Sequence, residues 1–387
     1  MMRIGYDTLV ENPFNPSSGL DYLKLLLAAL LERDDPCDYV ALVSEHNRHL
    51  FDFPSPRLRL VVAGRSNETI GRRILSQQTL VPWQARRHGV DVLLTLNTIP
   101  LIRTCGTVVK TCGLHHQLLP EQVTPNRLRR LYRRVMFDHS ARSADLVIAN
   151  TEATRRQIVS LMHVPRERVA VVYEAVADTF KPMADTPALR AELRERYGIE
   201  RDYLLFVSTL WRYKNPHVLV RAAGRLRRSA DLDLDVVIVG ADDHGLVPEL
   251  QSIAREEGVD DRLRFTGKVA NVELGHLYAG ARVFVYPSRA ETFGKPLVEA
   301  MRTGTPIVAA NATCIPEVLG GAGLLAPPDD SDKMAEAIRR VATDESLRSR
   351  LRTAGLERSR RFSWAATAEA TYRLVERVAA TRRGERN

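Results

Sequence analysis

The sequence predicts an α/β protein made of two doubly wound domains, each a parallel sheet with helices on both faces. Three observations carry that expectation. Short apolar, β-branched runs alternate with longer helical patterns along the whole chain, and such alternation leaves few solutions besides parallel strands joined by right-handed crossovers. The chain has 387 residues, more than one hydrophobic core usually organises. The periodicity breaks once, over residues 177–187, where Lys181-Pro182 and Thr186-Pro187 interrupt it. The expected domains are therefore 1–180 and 181–364, with residues 365–387 crossing back as a helix to pack on the first.

In the first half, strands are expected at residues 2–7, 40–44, 58–63, 91–96, 107–111, 146–149 and 169–173, with helices at 20–33, 127–143 and 152–162. In the second half, strands are expected at 203–208, 236–240, 263–266, 283–286, 307–309 and 324–325. Helices are read there at 216–228, 247–257, 296–302 and 332–342, followed by a long C-terminal helical stretch. Sheets of this kind bind ligands at the carboxyl ends of their strands, so two facing domains are expected to share an interdomain cleft.

Composition excludes several classes. Apolar residues at 44% and charged residues at 27% are ordinary for a globular chain. The longest apolar runs, such as Val236-Val237-Ile238-Val239, fall far short of the about 20 residues a bilayer span needs. Arg3-Ile4-Gly5-Tyr6-Asp7 reads as a strand rather than a leader peptide, so a cytoplasmic location is expected. Cys37, Cys105, Cys112 and Cys314 lack a Cys-x-x-Cys spacing, which argues against a disulfide framework or zinc site. Lys and Arg number 56 against 47 acids, a formal excess of nine, and a basic surface favours anionic partners. Arg127, Arg129, Arg130, Arg133, Arg134 and Arg142 stand against one acid, Asp138; on a helix they form a basic stripe, either a solvated face or a contact with an anionic membrane.

The strongest chemical signal is Tyr286-Pro287-Ser288-Arg289-Ala290-Glu291-Thr292-Phe293-Gly294-Lys295-Pro296-Leu297-Val298-Glu299-Ala300-Met301. A strand ends at Tyr286, a loop carries Glu291, and Pro296 suits the first turn of a helix that Gly304 would stop. A helix start offers free N–H groups and a positive dipole end to phosphate oxygens, and Gly294 lets backbone approach a ligand closely. Glu299, one turn inside, can accept hydrogen bonds from vicinal hydroxyls, and Glu291 can do the same for a second sugar. Favourable interaction with the helix dipole explains either glutamate alone, but not the whole run.

This run resembles the Glu-x7-Glu motif of retaining glycosyltransferases of family 4. The likeness continues through Gly304-Thr305-Pro306-Ile307-Val308-Ala309-Ala310, Ile315-Pro316-Glu317-Val318 and Gly321-Ala322-Gly323-Leu324-Leu325, and upstream through Phe265-Thr266-Gly267-Lys268-Val269 and Leu277-Tyr278. The resemblance implies a GT-B fold whose second domain binds a nucleotide-diphosphate sugar as co-substrate, with no cofactor and no metal. It implies that Glu291 contacts the donor sugar, that Glu299 binds the ribose, and that Lys214, in Phe206-Val207-Ser208-Thr209-Leu210-Trp211-Arg212-Tyr213-Lys214-Asn215, meets the diphosphate. Where many members carry Gly-Arg after that strand, this chain has Ser208-Thr209, so Arg212 substitutes or fewer cations serve. The implied donor-binding set is Thr209, Arg212, Lys214, Val269, Glu291, Thr292, Phe293, Gly294, Lys295, Pro296, Leu297 and Glu299.

In the first half, Ser17-Ser18-Gly19-Leu20 resembles the family's glycine loop, placing Gly19 near acceptor and phosphate. At Val108-Val109-Lys110-Thr111-Cys112-Gly113-Leu114-His115-His116, Cys112 and Gly113 stand where many members have His-Asp, and His116 or His115 is the candidate replacement. Glu152 in Asn150-Thr151-Glu152 resembles the family's Ser-Glu, for which capping also suffices. No Gly-x-Gly-x-x-Gly follows a strand, which argues against a nicotinamide enzyme. Asp231-Leu232-Asp233 reads as loop acids rather than a metal site.

The expectation is a cytoplasmic, possible peripheral membrane enzyme, metal-independent and retaining. It would move a hexosyl or deoxyhexosyl unit onto a glycan or lipid-linked acceptor in surface polysaccharide or lipopolysaccharide biosynthesis, with Glu291, Lys214 and His116 catalytic and nucleic acid not a partner. The alternatives are a non-catalytic donor-binding subunit, motivated by Cys112-Gly113, or a GT-B phosphorylase or epimerase.

Overall fold

The computed structural model describes residues 1–9, 18–66, 68–111, 114–119, 126–229 and 232–384. The chain divides into two compact units, Met1–Glu174 with Ser363–Asn387, and Ala175–Phe362.

The first unit holds a seven-stranded sheet: β1 (Met2–Asp7), β2 (Cys37–Val43), β3 (Leu58–Val62), β4 (Val92–Leu96), β5 (Gly106–Thr111), β6 (Leu146–Ala149) and β7 (Val169–Val171). All pairs are parallel, in the order β3-β2-β1-β4-β5-β6-β7. The central strands β4 and β5 are buried along their whole length, as befits strands covered on both faces. One face packs against helices Ser18–Leu31 and Trp364–Gly384 through Leu23, Leu27, Tyr372 and Val375. The other is covered by helix Ile70–Arg87, through Val81 and Ala85, and by Arg127–Ser143, through Ala141.

The second unit repeats the winding with six parallel strands: β8 (Tyr203–Val207), β9 (Asp235–Val239), β10 (Leu263–Gly267), β11 (Val283–Tyr286), β12 (Ile307–Ala310) and β13 (Leu324–Ala326). Their order, β10-β9-β8-β11-β12-β13, reverses direction between β8 and β11. The core joins Phe206, Ile238 and Val285 of the sheet to Leu219, Leu226 and Ile253 of helices Pro216–Arg228 and Val247–Glu257, and to Ile338 and Val341 of helix Ser331–Thr343.

Besides the short helices His115–Leu118 and Ile315–Leu319, three longer helices lie outside the sequence expectation. Ile70–Arg87 was hidden by Pro82, which sits inside it, buried. Pro187–Tyr197 begins where a break was expected: Thr186 caps it, accepting from Leu189 N at 3.2 Å, and Pro187 takes the first turn, where its missing N–H costs nothing. Asn271–Gly280 opens on Glu273, whose carboxylate accepts from Ala270 N at 3.4 Å. Among the described residues no helix is long and apolar enough to cross a membrane.

Candidate active site

In the second unit the strand order reverses between β8 and β11, and a reversal opens a crevice outside the carboxyl ends of the two strands. The loop after β8 turns through Arg212–Lys214 to Asn215, which is left-handed (φ 61°) and donates from Nδ2 to Pro328 O at 2.6 Å. The path of this loop depends on Gly240 at the end of neighbouring β9: a Cβ there would lie 1.9 Å from Ser208 O, and its φ is 143°. The loop after β11 is tied to the first by Arg289 N donating to Tyr213 O at 2.8 Å.

These ties bring together two residues 77 positions apart. Lys214 Nζ lies 2.6 Å from Glu291 Oε1, with the two side chains only 14% and 6% exposed. Tyr286, the last residue of β11, donates its hydroxyl to the same carboxylate oxygen, and Glu291 N donates to Thr313 Oγ1 at 2.9 Å. Burial works against the Lys214 charge, yet Glu291 holds its pKa above the usual lysine value. Burial, reinforced by the Glu291 charge, pushes the Tyr286 hydroxyl well up, so it remains a neutral donor.

Past Glu291 the chain reaches Gly294, left-handed at φ 81°, and enters helix Lys295–Thr303 with Pro296 in its first turn. Glu299 lies one turn inside, half-buried, and Oε2 accepts from the Tyr278 hydroxyl at 3.0 Å. Burial, then the Glu299 charge, raises the Tyr278 pKa well above normal. Each glutamate of the motif is thus held by a buried tyrosine. A helix N-terminus, one ammonium and two fixed carboxylates can together hold a ligand that carries both a diphosphate and sugar hydroxyls.

The remaining candidates take various places. Phe293 is buried against Phe362, ring centroids 5.5 Å apart, and Leu297 is buried in the helix. Thr292, Lys295 and Pro296 are half-buried around the helix start, Thr209 half-buried after β8, and Val269 half-buried after β10. Arg212 grips Glu249 in a fork, with contacts of 2.9 and 2.5 Å, and His217 Nε2 lies 3.2 Å from the same carboxylate. Gly19 falls in the first turn of helix Ser18–Leu31 in the other unit. His116 belongs to the short helix His115–Leu118, but its side chain and that of His115 lie outside the described residues, as do Cys112 and Gly113. Asp233 is taken up by Arg201 and Arg262, and Asp231 is outside the described residues. Sequence reasoning missed the positioning roles of Tyr278, Tyr286 and Thr313; the one visible signal was a tyrosine ending the strand five residues before Glu291. It also passed over Asp7, fully buried at the end of β1, whose pKa burial raises although Leu9 N, Gln77 and Thr95 donate to it.

Two parallel, doubly wound units, the second carrying paired glutamates across a helix start, define a glycosyltransferase of the GT-B class. Within it the chain belongs to family 4: residues 22–180 match the family described as Glycosyltransferase Family 4, and residues 190–358 match Glycosyl transferases group 1. It is similar to the D-inositol 3-phosphate glycosyltransferase of Saccharomonospora viridis (31% identity, covering 79% of this chain and 69% of that one). It is also similar to the O-antigen chain mannosyltransferase B of Escherichia coli (31% identity over 247 residues, 63% of each chain). The chain thus spans somewhat under two thirds of that mannosyltransferase's length. Among solved structures, HepE of Anabaena, in complex with UDP and glucose, superposes with a TM-score of 0.72 at 20% identity, covering 97% of this chain and all of that one.

Proposed function

We propose that the chain is a retaining, metal-independent glycosyltransferase that moves a hexosyl or deoxyhexosyl unit from a nucleotide-diphosphate sugar to a glycan or lipid-linked acceptor in surface polysaccharide synthesis, in the cytoplasm. The observation that carries this reading is the Lys214–Glu291 pair at 2.6 Å in the β8/β11 crevice, beside the start of the helix that bears Glu299. With no donor present each group neutralises the other. An arriving diphosphate competes for Lys214, while the Tyr286 hydroxyl keeps Glu291 in place for the sugar. Lys214 and the N–H groups at the helix start then meet the charge that grows on the departing nucleoside diphosphate, a task a metal ion performs elsewhere. Glu299 takes the ribose. Retention follows from the family resemblance and is consistent with attack on the face the diphosphate leaves. The mannosyltransferase relative supports a hexosyl donor and the HepE complex a uridine nucleotide.

The test is turnover of a panel of nucleotide sugars with glycan acceptors in excess chelator, with product configuration read by NMR. The expected result is nucleoside diphosphate release matched to an α-linked product from an α-linked donor. Dependence on inorganic phosphate, a free epimerised donor, or donor binding without any turnover across the panel would replace this reading with the phosphorylase, epimerase or non-catalytic alternative.

A further inference from the structure

We infer that Thr313 determines sugar specificity: its hydroxyl, set beside Glu291, donates a hydrogen bond to one hydroxyl of the donor's sugar ring. The inference rests on the proposed transfer reaction and deepens it, naming a side chain that decides which sugar is accepted.

Backbone strain marks the residue. β12 ends at Ala310, and Asn311 N donates to Ala326 O at 2.8 Å, which fixes the exit from the strand. The chain then turns: Ile315 N donates to Ala312 O at 3.0 Å, leaving Thr313 and Cys314 at the two central positions. Thr313 has a φ of 47°. Glycine or asparagine ordinarily supplies a positive φ in a turn, and a β-branched side chain there crowds its own backbone. Such conformations persist only where the surroundings impose them, and they gather at ligand sites.

The hydroxyl is what this threonine brings and glycine would lack. Thr313 Oγ1 accepts from Glu291 N at 2.9 Å, which ties the turn after β12 to the loop after β11. A hydroxyl that accepts still carries a hydrogen of its own, and no acceptor for it is found among the described residues. Thr313 is exposed, whereas Glu291 beside it is 7% exposed and Cys314 after it is fully buried. Burial, then the nearby Glu291 charge, pushes the Cys314 thiol well up, so it stays neutral. The turn thus sets one side chain close to the Lys214–Glu291 pair and presents the next to solvent alongside it.

A carboxylate that only accepts and a hydroxyl that can donate make a complementary pair. One ring hydroxyl can donate to Glu291 and accept from Thr313 at once, a two-way contact that its epimer or deoxy analogue cannot reproduce. A phosphate oxygen could accept from Thr313 but would be repelled by the adjoining carboxylate.

The test is calorimetric binding of UDP-glucose, UDP-galactose and GDP-mannose, and of their monodeoxy analogues, to the full chain. Wild type, Thr313→Ser and Thr313→Val are compared, and nucleoside diphosphate release with glycan acceptors is followed in parallel. For the best-bound donor, Thr313→Val is expected to lose about tenfold in affinity and Thr313→Ser less than about threefold. One deoxy analogue should bind wild type and Thr313→Val equally, because the hydroxyl it lacks is the one Thr313 addresses. Discrimination against the epimer at that carbon should fall about tenfold in Thr313→Val and persist in Thr313→Ser. Should Thr313→Val fail to fold, Thr313→Ala carries the same comparison with less side chain to crowd the turn.

Equal losses across every deoxy analogue would leave Thr313 as a support for Glu291 N alone and overturn the inference. An equal loss for the nucleoside diphosphate without its sugar would also overturn it, by placing the hydroxyl on phosphate. Donor binding by the wild type without release would refute the transfer reading, while the affinities would still decide the role of Thr313. No binding of any nucleotide sugar would overturn both.

Discussion

On the proposed function the Lys214–Glu291 pair serves both folding and chemistry, and a double-mutant cycle separates the two roles. Both side chains are nearly buried and 2.6 Å apart. Lys214→Ala removes the ammonium 2.6 Å from a buried carboxylate that still accepts from the Tyr286 hydroxyl. Removing one partner of a buried pair costs about 3–5 kcal/mol, and the remaining hydroxyl donor puts the expected loss near the lower end. Glu291→Gln in the same chain removes the stranded charge while its amide oxygen still accepts from Tyr286, so the double variant should recover about 2 kcal/mol of that loss. Turnover should not follow stability. The ammonium is needed where charge develops on the leaving diphosphate, a contact worth about 100-fold or more, so both variants should be slow at saturating donor. Urea unfolding gives the stabilities and nucleoside diphosphate release gives the rates. Restored stability with wild-type turnover in the double variant would make Lys214 a structural counter-ion only, and the donor-site assignment would fall with it.

Glu299→Ala is expected to raise KM for the donor about tenfold with little change in kcat, since a ribose contact is made equally in the ground and transition states; Tyr278→Phe should shift KM the same way by about threefold. A dominant fall in kcat in either variant would move Glu299 from the ribose to the reacting sugar. Gly240→Ala should destabilise the second unit by more than about 3 kcal/mol, because its Cβ would lie 1.9 Å from Ser208 O; a wild-type melting temperature would refute that reading of the loop. Burial holds the His217 pKa below its usual 6.5, against the pull of Glu249. The group therefore adds stability that is present above that value and lost as pH falls through its lower folded-state pKa. His217→Gln should flatten the decline in unfolding free energy as pH falls below the usual histidine value of 6.5, and an unchanged pH profile would place the titration elsewhere.

Most strands were legible because a strand buried on both faces has to be a continuous β-branched run. Residues 2–7, 146–149 and 283–286 were read to their ends, and the others differ by a few residues at their termini. The chemistry in the second half was legible through its likeness to a known motif. Its assembly was not, because a lysine and a glutamate 77 residues apart meet only if β8 and β11 are neighbours, and adjacency of parallel strands is set by the order of the crossovers rather than by either strand's sequence. Gly240 shows the same limit: a glycine ending a strand is unremarkable until a neighbouring carbonyl is found in the space its Cβ would fill.

The missed helix Ile70–Arg87 has a different cause. Pattern reading ends a helix at an internal proline, and here Pro82 sits inside the helix, buried with Val81 and Ala85, while Leu75, Leu80 and Trp83 are exposed. Helix Arg127–Ser143 carries no proline and was read from its sequence, although Leu128, Leu131 and Val135 are exposed on it as well.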